Sequence, residues 1–160
     1  MRAIVSGAAG FTGAVLCETL RKNGIEVYAL VREGSEHNRR LDRNDEGLHV
    51  INCSLGSLEE SDLEMAGCDL FFHIAWGGGK TVAEQQKNII YTLDALRTAK
   101  KYGCKRFIAT GSQAEYGIVS PKEMQTEDRM PDPYTAYGSA KVAACYMSRQ
   151  DGCCRTFIMH

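Results

Sequence analysis

The chain begins Met1-Arg2-Ala3-Ile4-Val5-Ser6-Gly7-Ala8-Ala9-Gly10-Phe11-Thr12-Gly13. Few folds can use such a start. A short β-branched run enters a glycine-rich turn, and an amphipathic helix pattern follows at once. Phe11, Val15, Leu16, Thr19 and Leu20 are expected on its apolar face. Strand, glycine loop and helix, in that order, can hold a diphosphate. Gly7 can take backbone angles that a Cβ disfavours. Gly10 lets the backbone approach a pyrophosphate, and Gly13 lets the helix pack closely on the strand. Free N–H groups and the positive end of the helix then face the anion. The spacing is G-x-x-G-x-x-G, and its position between a strand and a helix gives it weight.

A chain of 160 residues fits one domain, residues 1–160, with a sizeable core. A formal net charge of −1 gives no pull toward nucleic acid or an anionic membrane. No apolar run is long enough to span a bilayer, and the N-terminus reads as a buried strand rather than a leader. Seven cysteines, odd in number and without paired C-x-x-C spacing, read as reduced thiols. The expectation is a cytoplasmic protein with no metal site.

The first helix should stop at Lys22-Asn23-Gly24, a basic last turn followed by glycine. Glu26–Val31 is a second buried strand. An NAD-binding fold carries a carboxylate near this strand end for the adenosine ribose; here Val31 and Arg32 stand there. A carboxylate would repel a 2′-phosphate, whereas a guanidinium binds it bidentately. Arg32 therefore points to NADP, with NAD second, and Arg39 and Arg40 are expected to add to the same pocket.

Leu48–Ile51 is a third strand. Ser57 is expected to cap a helix, with Glu60 at its third position. Asp69–Ile74 is a fourth strand, ending in Ala75-Trp76-Gly77-Gly78-Gly79, a candidate flap beside the ligand crevice. His73, inside an apolar run, reads as a satisfied core residue. A long helix follows from about Thr81 to Tyr102, with Ile89, Ile90, Leu93 and Leu96 as its apolar stripe. Lys105–Thr110 is a fifth strand. Another helix starts near Tyr134 and runs to about Gln150, and Arg155–Met159 is a sixth strand. Alternating strands and helices predict an α/β, doubly wound parallel sheet (a Rossmann fold) in the order 3-2-1-4-5-6.

Tyr137 and Lys141 are four apart on a predicted helix and share a face. A phenol has a pKa of about 10, high for proton transfer near neutrality. A neighbouring ammonium favours the phenolate. Ser112, after the fifth strand, could hydrogen-bond the same substrate oxygen. The three would form a proton relay facing a hydride donor, reducing a carbonyl or, in reverse, oxidising an alcohol.

The chain resembles the extended short-chain dehydrogenases/reductases of the NAD(P)-dependent epimerase/dehydratase family. The resemblance rests on Ser6–Gly13, Asp69–Ala75, Gly111-Ser112-Gln113-Ala114-Glu115-Tyr116-Gly117 and Tyr137-Gly138-Ser139-Ala140-Lys141, in matching order over nearly the whole chain. It implies Ser112, Tyr137 and Lys141 as the catalytic trio, with Lys141 also on the nicotinamide ribose. It implies cofactor contacts at Gly7, Gly10, Phe11, Thr12, Gly13, Arg32, Ala75, Asn88, Tyr137 and Lys141, Asn88 being a helix asparagine with a structural role. It also implies a nucleotide-sugar substrate and a homodimer built on the Thr81–Tyr102 helix and the helix after Tyr137, through Ile90, Leu93, Val142 and Tyr146. Gln113 and Ala114 stand where dehydratases of the family carry an Asp-Glu pair, which argues against dehydration. Cys53-Ser54 replaces a Gly-Asp that touches adenine. Family members are roughly twice this length, and the missing part supplies most of the substrate pocket. The expected function is an NAD(P)-dependent epimerase or reductase. The alternative is a non-catalytic NADP-binding domain or sensor, or a fragment that needs a partner chain. A flavin- or nucleotide-binding fold of another family would explain neither Ser112 nor the Tyr137–Lys141 pair.

Overall fold

A computed structural model describes residues 1–59, 67–118, 126, 128–150 and, as backbone, 155–159. Six parallel strands form one sheet: β1 (Arg2–Ser6), β2 (Glu26–Val31), β3 (Leu48–Asn52), β4 (Leu70–His73), β5 (Arg106–Thr110) and β6 (Arg155–Met159). Their order is β3-β2-β1-β4-β5-β6, as the alternating pattern predicts. Among the described residues, three α-helices cover the sheet: α1 (Phe11–Lys22), α2 (Val82–Lys101) and α3 (Ala136–Gln150).

Alternation along β1 divides the core. Ala3 and Val5 join Cys17 and Leu20 of α1 and Val27 and Ala29 of β2 on one face. Ile4 points the other way, into a cluster with Phe71, Phe107 and Ala95, Leu96 and Ala99 of α2. Helices α2 and α3 pack against each other. The strand order reverses between β1 and β4, so their carboxyl ends diverge into a crevice.

Two expected helix faces are corrected. On α1 the buried residues are Gly13, Cys17 and Leu20, while Phe11 is 85% exposed and Val15 and Thr19 are also exposed. At its first turn the helix lies against the glycine loop with no room for a side chain: a Cβ on Gly13 would overlap the Gly7 carbonyl oxygen. On α2 the buried set includes Gln85, Asn88 and Thr92 beside Ala95 and Leu96, and Ile90 is 51% exposed. Hydropathy alone misses this face, because its polar residues hydrogen-bond to the loop and strand beneath them. The helix expected to follow Ser57 falls on residues outside those described. Ser57 closes a single 3-10 turn, Leu55–Ser57, that starts after Ser54, and its hydroxyl lies 2.9 Å from that of Ser54. Glu60 lies outside the described residues.

Candidate active site

Gly7 leaves β1 with φ +73°, and a Cβ there would approach the Ala75 backbone N to 2.8 Å. The loops after β1 and β4 can touch only because residue 7 is glycine. The turn closes through Gly10 N–H to Gly7 O at 3.0 Å, and α1 starts with no side-chain cap and no acidic residue in its first turn. The N-terminus of α2 differs. There Glu84 accepts from the Lys80 and Thr81 N–H groups, and Thr81 Oγ1 accepts from Glu84 N–H. The first N–H groups of α1 thus have no intrahelical acceptor and meet no carboxylate. They suit an anion, and this fits the diphosphate of a dinucleotide.

The loop borders a crevice of about 660 Å³, the size of a small-molecule site. Gly7, Gly10, Phe11, Thr12, Gly13, Arg32 and Ala75 all line it. Trp76 and Gly77 close one end; Cys53, Ser54, Leu55 and Tyr91 line another part. Arg39 and Arg40 do not line it. Arg40 Nη1 instead donates to Ala9 O at 3.1 Å, bracing the glycine loop from outside. Ser35, His37 and Asn38 take their place beside Arg32. Nothing in the sequence singled these out, because a short 3-10 turn at Glu36–Arg40 decides which side chains face inward.

Asn88 does not line the crevice either. It is buried, and its amide is used by the Gly77 backbone: Oδ1 accepts the N–H at 2.7 Å and Nδ2 donates to the carbonyl at 3.0 Å. Gln85 works alongside it, accepting from Trp76 Nε1–H at 3.0 Å and donating to Gly79 O at 2.7 Å. The expected flap is therefore tied down on α2 at Trp76, Gly77 and Gly79.

His73 is buried and satisfied, as its surroundings in the sequence implied. Thr92 gives its single hydroxyl proton to Asn88 O at 2.9 Å. Its oxygen must then accept from His73 Nε2–H, 3.3 Å away, which leaves Nδ1 to accept from Ser6 O–H at 2.8 Å. Burial, then the nearby Lys141 charge, pushes the imidazole down to about 3. A neutral ring fits both bonds.

The expected trio lies past the Trp76 end of the crevice. Lys141 is only 5% exposed, and Nζ donates to Thr110 O at 2.8 Å. Burial lowers its pKa to about 8, and the Glu115 carboxylate opposes that shift. Lys141 Nζ lies 5.9 Å from the Tyr137 ring centroid and 3.7 Å from that of Trp76. Tyr137, 36% exposed, meets Trp76 edge-on at 5.9 Å. Ser112 Oγ accepts from Ala114 N–H at 3.2 Å, and Ser112 N–H donates to buried Glu115 at 2.7 Å. Glu115 went unassigned in the sequence reading, although the Ser-x-x-Glu spacing of a capping box was visible there. Helix α3 approaches this turn closely, since a Cβ on Gly138 would overlap Ala114 O.

A family model described as the NAD dependent epimerase/dehydratase family matches residues 3–150. The chain belongs to this family. Among curated relatives, it is 30% identical over 155 residues to the 4-hydroxy-2-methyl-3-oxo-4-farnesyl-3,4-dihydroquinoline-1-oxide ketoreductase of Stigmatella aurantiaca, covering 90% of this chain and 44% of that protein. It is 33% identical over 112 residues to the CDP-abequose synthase of Salmonella typhimurium, covering 68% of this chain and 37% of that one. Among solved structures, UDP-glucuronic acid 4-epimerase from Bacillus cereus in complex with NAD superposes with a TM-score of 0.81 at 22% identity, covering 99% of this chain and 55% of that one. The chain thus spans about half or less of the relatives it matches. The family's description names NAD as the cofactor on which its members depend. Among the described residues, no helix is long and apolar enough to cross a membrane.

Proposed function

We propose that this chain carries the cofactor site and the proton-transfer residues of an epimerase or reductase acting on a carbonyl or secondary alcohol, with a nucleotide sugar as the favoured substrate. The observation that carries the proposal is the pairing of Tyr137 with a buried Lys141 on one face of α3, past the end of a crevice that starts at an uncapped helix.

Gly7, Gly10, Phe11, Thr12 and Gly13 would hold the diphosphate through backbone N–H groups. Arg32, with Ser35, His37 and Asn38 beside it, would hold the adenosine ribose and a 2′-phosphate; this supports NADP. NAD is the second choice, favoured by the family's description and by the NAD in the Bacillus cereus structure. A bound nicotinamide supplies or accepts a hydride. Tyr137, with the Lys141 Nζ 5.9 Å from its ring centroid, gives its phenolic proton to a substrate oxygen. In the oxidative direction Tyr137 takes the proton back. Ser112 orients the same oxygen.

Val142 is half-buried and Tyr146 exposed on α3, as is Ile90 on α2, so these faces leave room for a homodimer. Five described cysteines are free thiols, in keeping with a cytoplasmic setting. A second reading, a cofactor-binding domain without its own turnover, is favoured by one observation: none of Ser112, Tyr137 and Lys141 lines the main crevice.

Calorimetric titration with NADPH and NADH, followed by turnover on a panel of nucleotide sugars, tests both readings. Binding with turnover that Tyr137→Phe abolishes supports the enzyme. Binding without turnover supports the domain. No binding of either nucleotide removes both.

A further inference from the structure

Lys141 Nζ is held between two fixed partners, the Thr110 carbonyl at 2.8 Å and the centre of the Trp76 ring at 3.7 Å. Trp76 is itself fixed: its N–H is held by Gln85 at 3.0 Å, and the next residue is held at both backbone groups by Asn88. Its ring also meets Tyr137 edge-on, with planes at 87°. Trp76 borders both the main crevice and a small cavity that Lys141 shares with His73, Thr92 and Cys145. The indole thus stands where the crevice and the Lys141 cavity adjoin.

We propose that Trp76 is a positioning residue for the Tyr137–Lys141 pair: its ring seats the Lys141 ammonium in a buried place and its contact with Tyr137 fixes the phenol ring beside it. The inference rests on the proton-relay reading above and extends it to the loop after β4.

The physical argument is a balance. Burial disfavours the charged form of Lys141 and brings its pKa to about 8. The negative face of an indole favours the charged form, and more strongly where water is excluded. Without that face the ammonium would lose its proton at a lower pH, and the phenol would lose its charged neighbour. The other groups around Nζ cannot replace the ring. His73 on β4 stays neutral, its pKa pushed down to about 3. Burial raises the Cys145 thiol on α3 above its ordinary range. Thr92 on α2 is occupied with Asn88 and His73. Glu115, beyond β5, is the remaining charge acting on Lys141, and it favours the ammonium. Among the described residues Tyr137 is the further titratable group near it, its ring centroid 5.9 Å from Nζ.

The chain contains one tryptophan, so a fluorinated tryptophan labels position 76 alone. The test is fluorine NMR of 5-fluorotryptophan-labelled chain between pH 6 and 10. The expected result is a single resonance that titrates with a midpoint near 8. That titration should persist in Tyr137→Phe and vanish in Lys141→Met. In Lys141→Arg the resonance should stay at its charged-state position. Mono-, di- and trifluorinated tryptophans weaken the ring face with little change of shape, and should lower the Lys141 midpoint stepwise, by about one pH unit over the series. A resonance that does not titrate, a titration that survives Lys141→Met, or a midpoint unchanged by fluorination would each overturn the proposal. Turnover tests the relay separately. A Tyr137→Phe chain with full activity removes the relay, whereas the fluorine titration depends only on the contact between Trp76 and Lys141.

Discussion

Asn88 holds Gly77 at both of its backbone polar groups, accepting its N–H at 2.7 Å and donating to its carbonyl at 3.0 Å. The side chain is buried on α2, eleven residues along the chain from its partner. It does for the loop what a neighbouring strand would do, giving exposed backbone groups a fixed match. Removing it leaves an N–H and a carbonyl with no such match in a half-buried place. Asn88→Ala should therefore destabilise the fold by about 1–3 kcal/mol, read as a lower urea midpoint. The loop carries Trp76, so its fluorescence should also change. Asn88→Asp keeps the acceptor and loses the donor, and should fall between the two.

How far the sequence could reach is clear from particular residues. The strand order, the glycine loop and the position of Tyr137 and Lys141 on one helix were all legible, because each depends on local spacing. Gly7, Gly10 and Gly13 announce a loop that must approach something closely. The role of Asn88 was not legible as a loop anchor, since its partner is set by how α2 lies over β4. The same holds for Gln85, a polar residue on the inner face of a helix that hydropathy reads as exposed. Arg40 was misplaced for a related reason. One 3-10 turn rotates it away from the crevice toward Ala9 O and brings His37 in.

Gly138 supports a prediction about catalysis. The residue after Tyr137 packs on the Ala114 carbonyl, and a Cβ there would overlap the oxygen. Gly138→Ala must push α3 away from the turn that carries Ser112. Overpacking of this kind costs about 1–3 kcal/mol. Cofactor affinity should barely change, because Gly138 lies outside the crevice. Turnover should fall by tenfold or more as Tyr137 and Ser112 separate. Paired calorimetry and kinetics on one preparation would show the split.

His73 gives the fold a pH dependence. Its folded pKa is depressed to about 3 by burial, against about 6.5 in an unfolded chain. Between those values the unfolded state binds the proton and the folded state does not. Stability from this residue is therefore complete above about pH 6.5 and is lost progressively as pH falls toward 3. Urea denaturation from pH 7 to 4 should show a falling midpoint. In His73→Gln, which keeps a donor and an acceptor but cannot titrate, the fall should be shallower. Equal slopes in the two chains would mean that carboxylates alone drive the loss.

Arg32 carries the NADP proposal. It follows the last residue of β2 and lines the crevice with Ser35, His37 and Asn38, on the side away from Trp76. Its carbonyl accepts from Asn38 Nδ2–H at 3.1 Å, so the backbone here is held while the exposed guanidinium keeps its reach. A guanidinium attracts a 2′-phosphate, whereas a carboxylate at the same place repels it and accepts from ribose hydroxyls instead. Arg32→Asp should weaken NADPH binding by about tenfold to a hundredfold, the loss expected for a charged hydrogen bond. NADH binding should hold or improve. The His37→Ala chain gives the second arm: if His37 shares the phosphate, NADPH should weaken again while NADH does not. An unchanged preference in both variants would place the 2′-position away from this end of the crevice. The NAD found in the Bacillus cereus structure would then be the better guide to the cofactor.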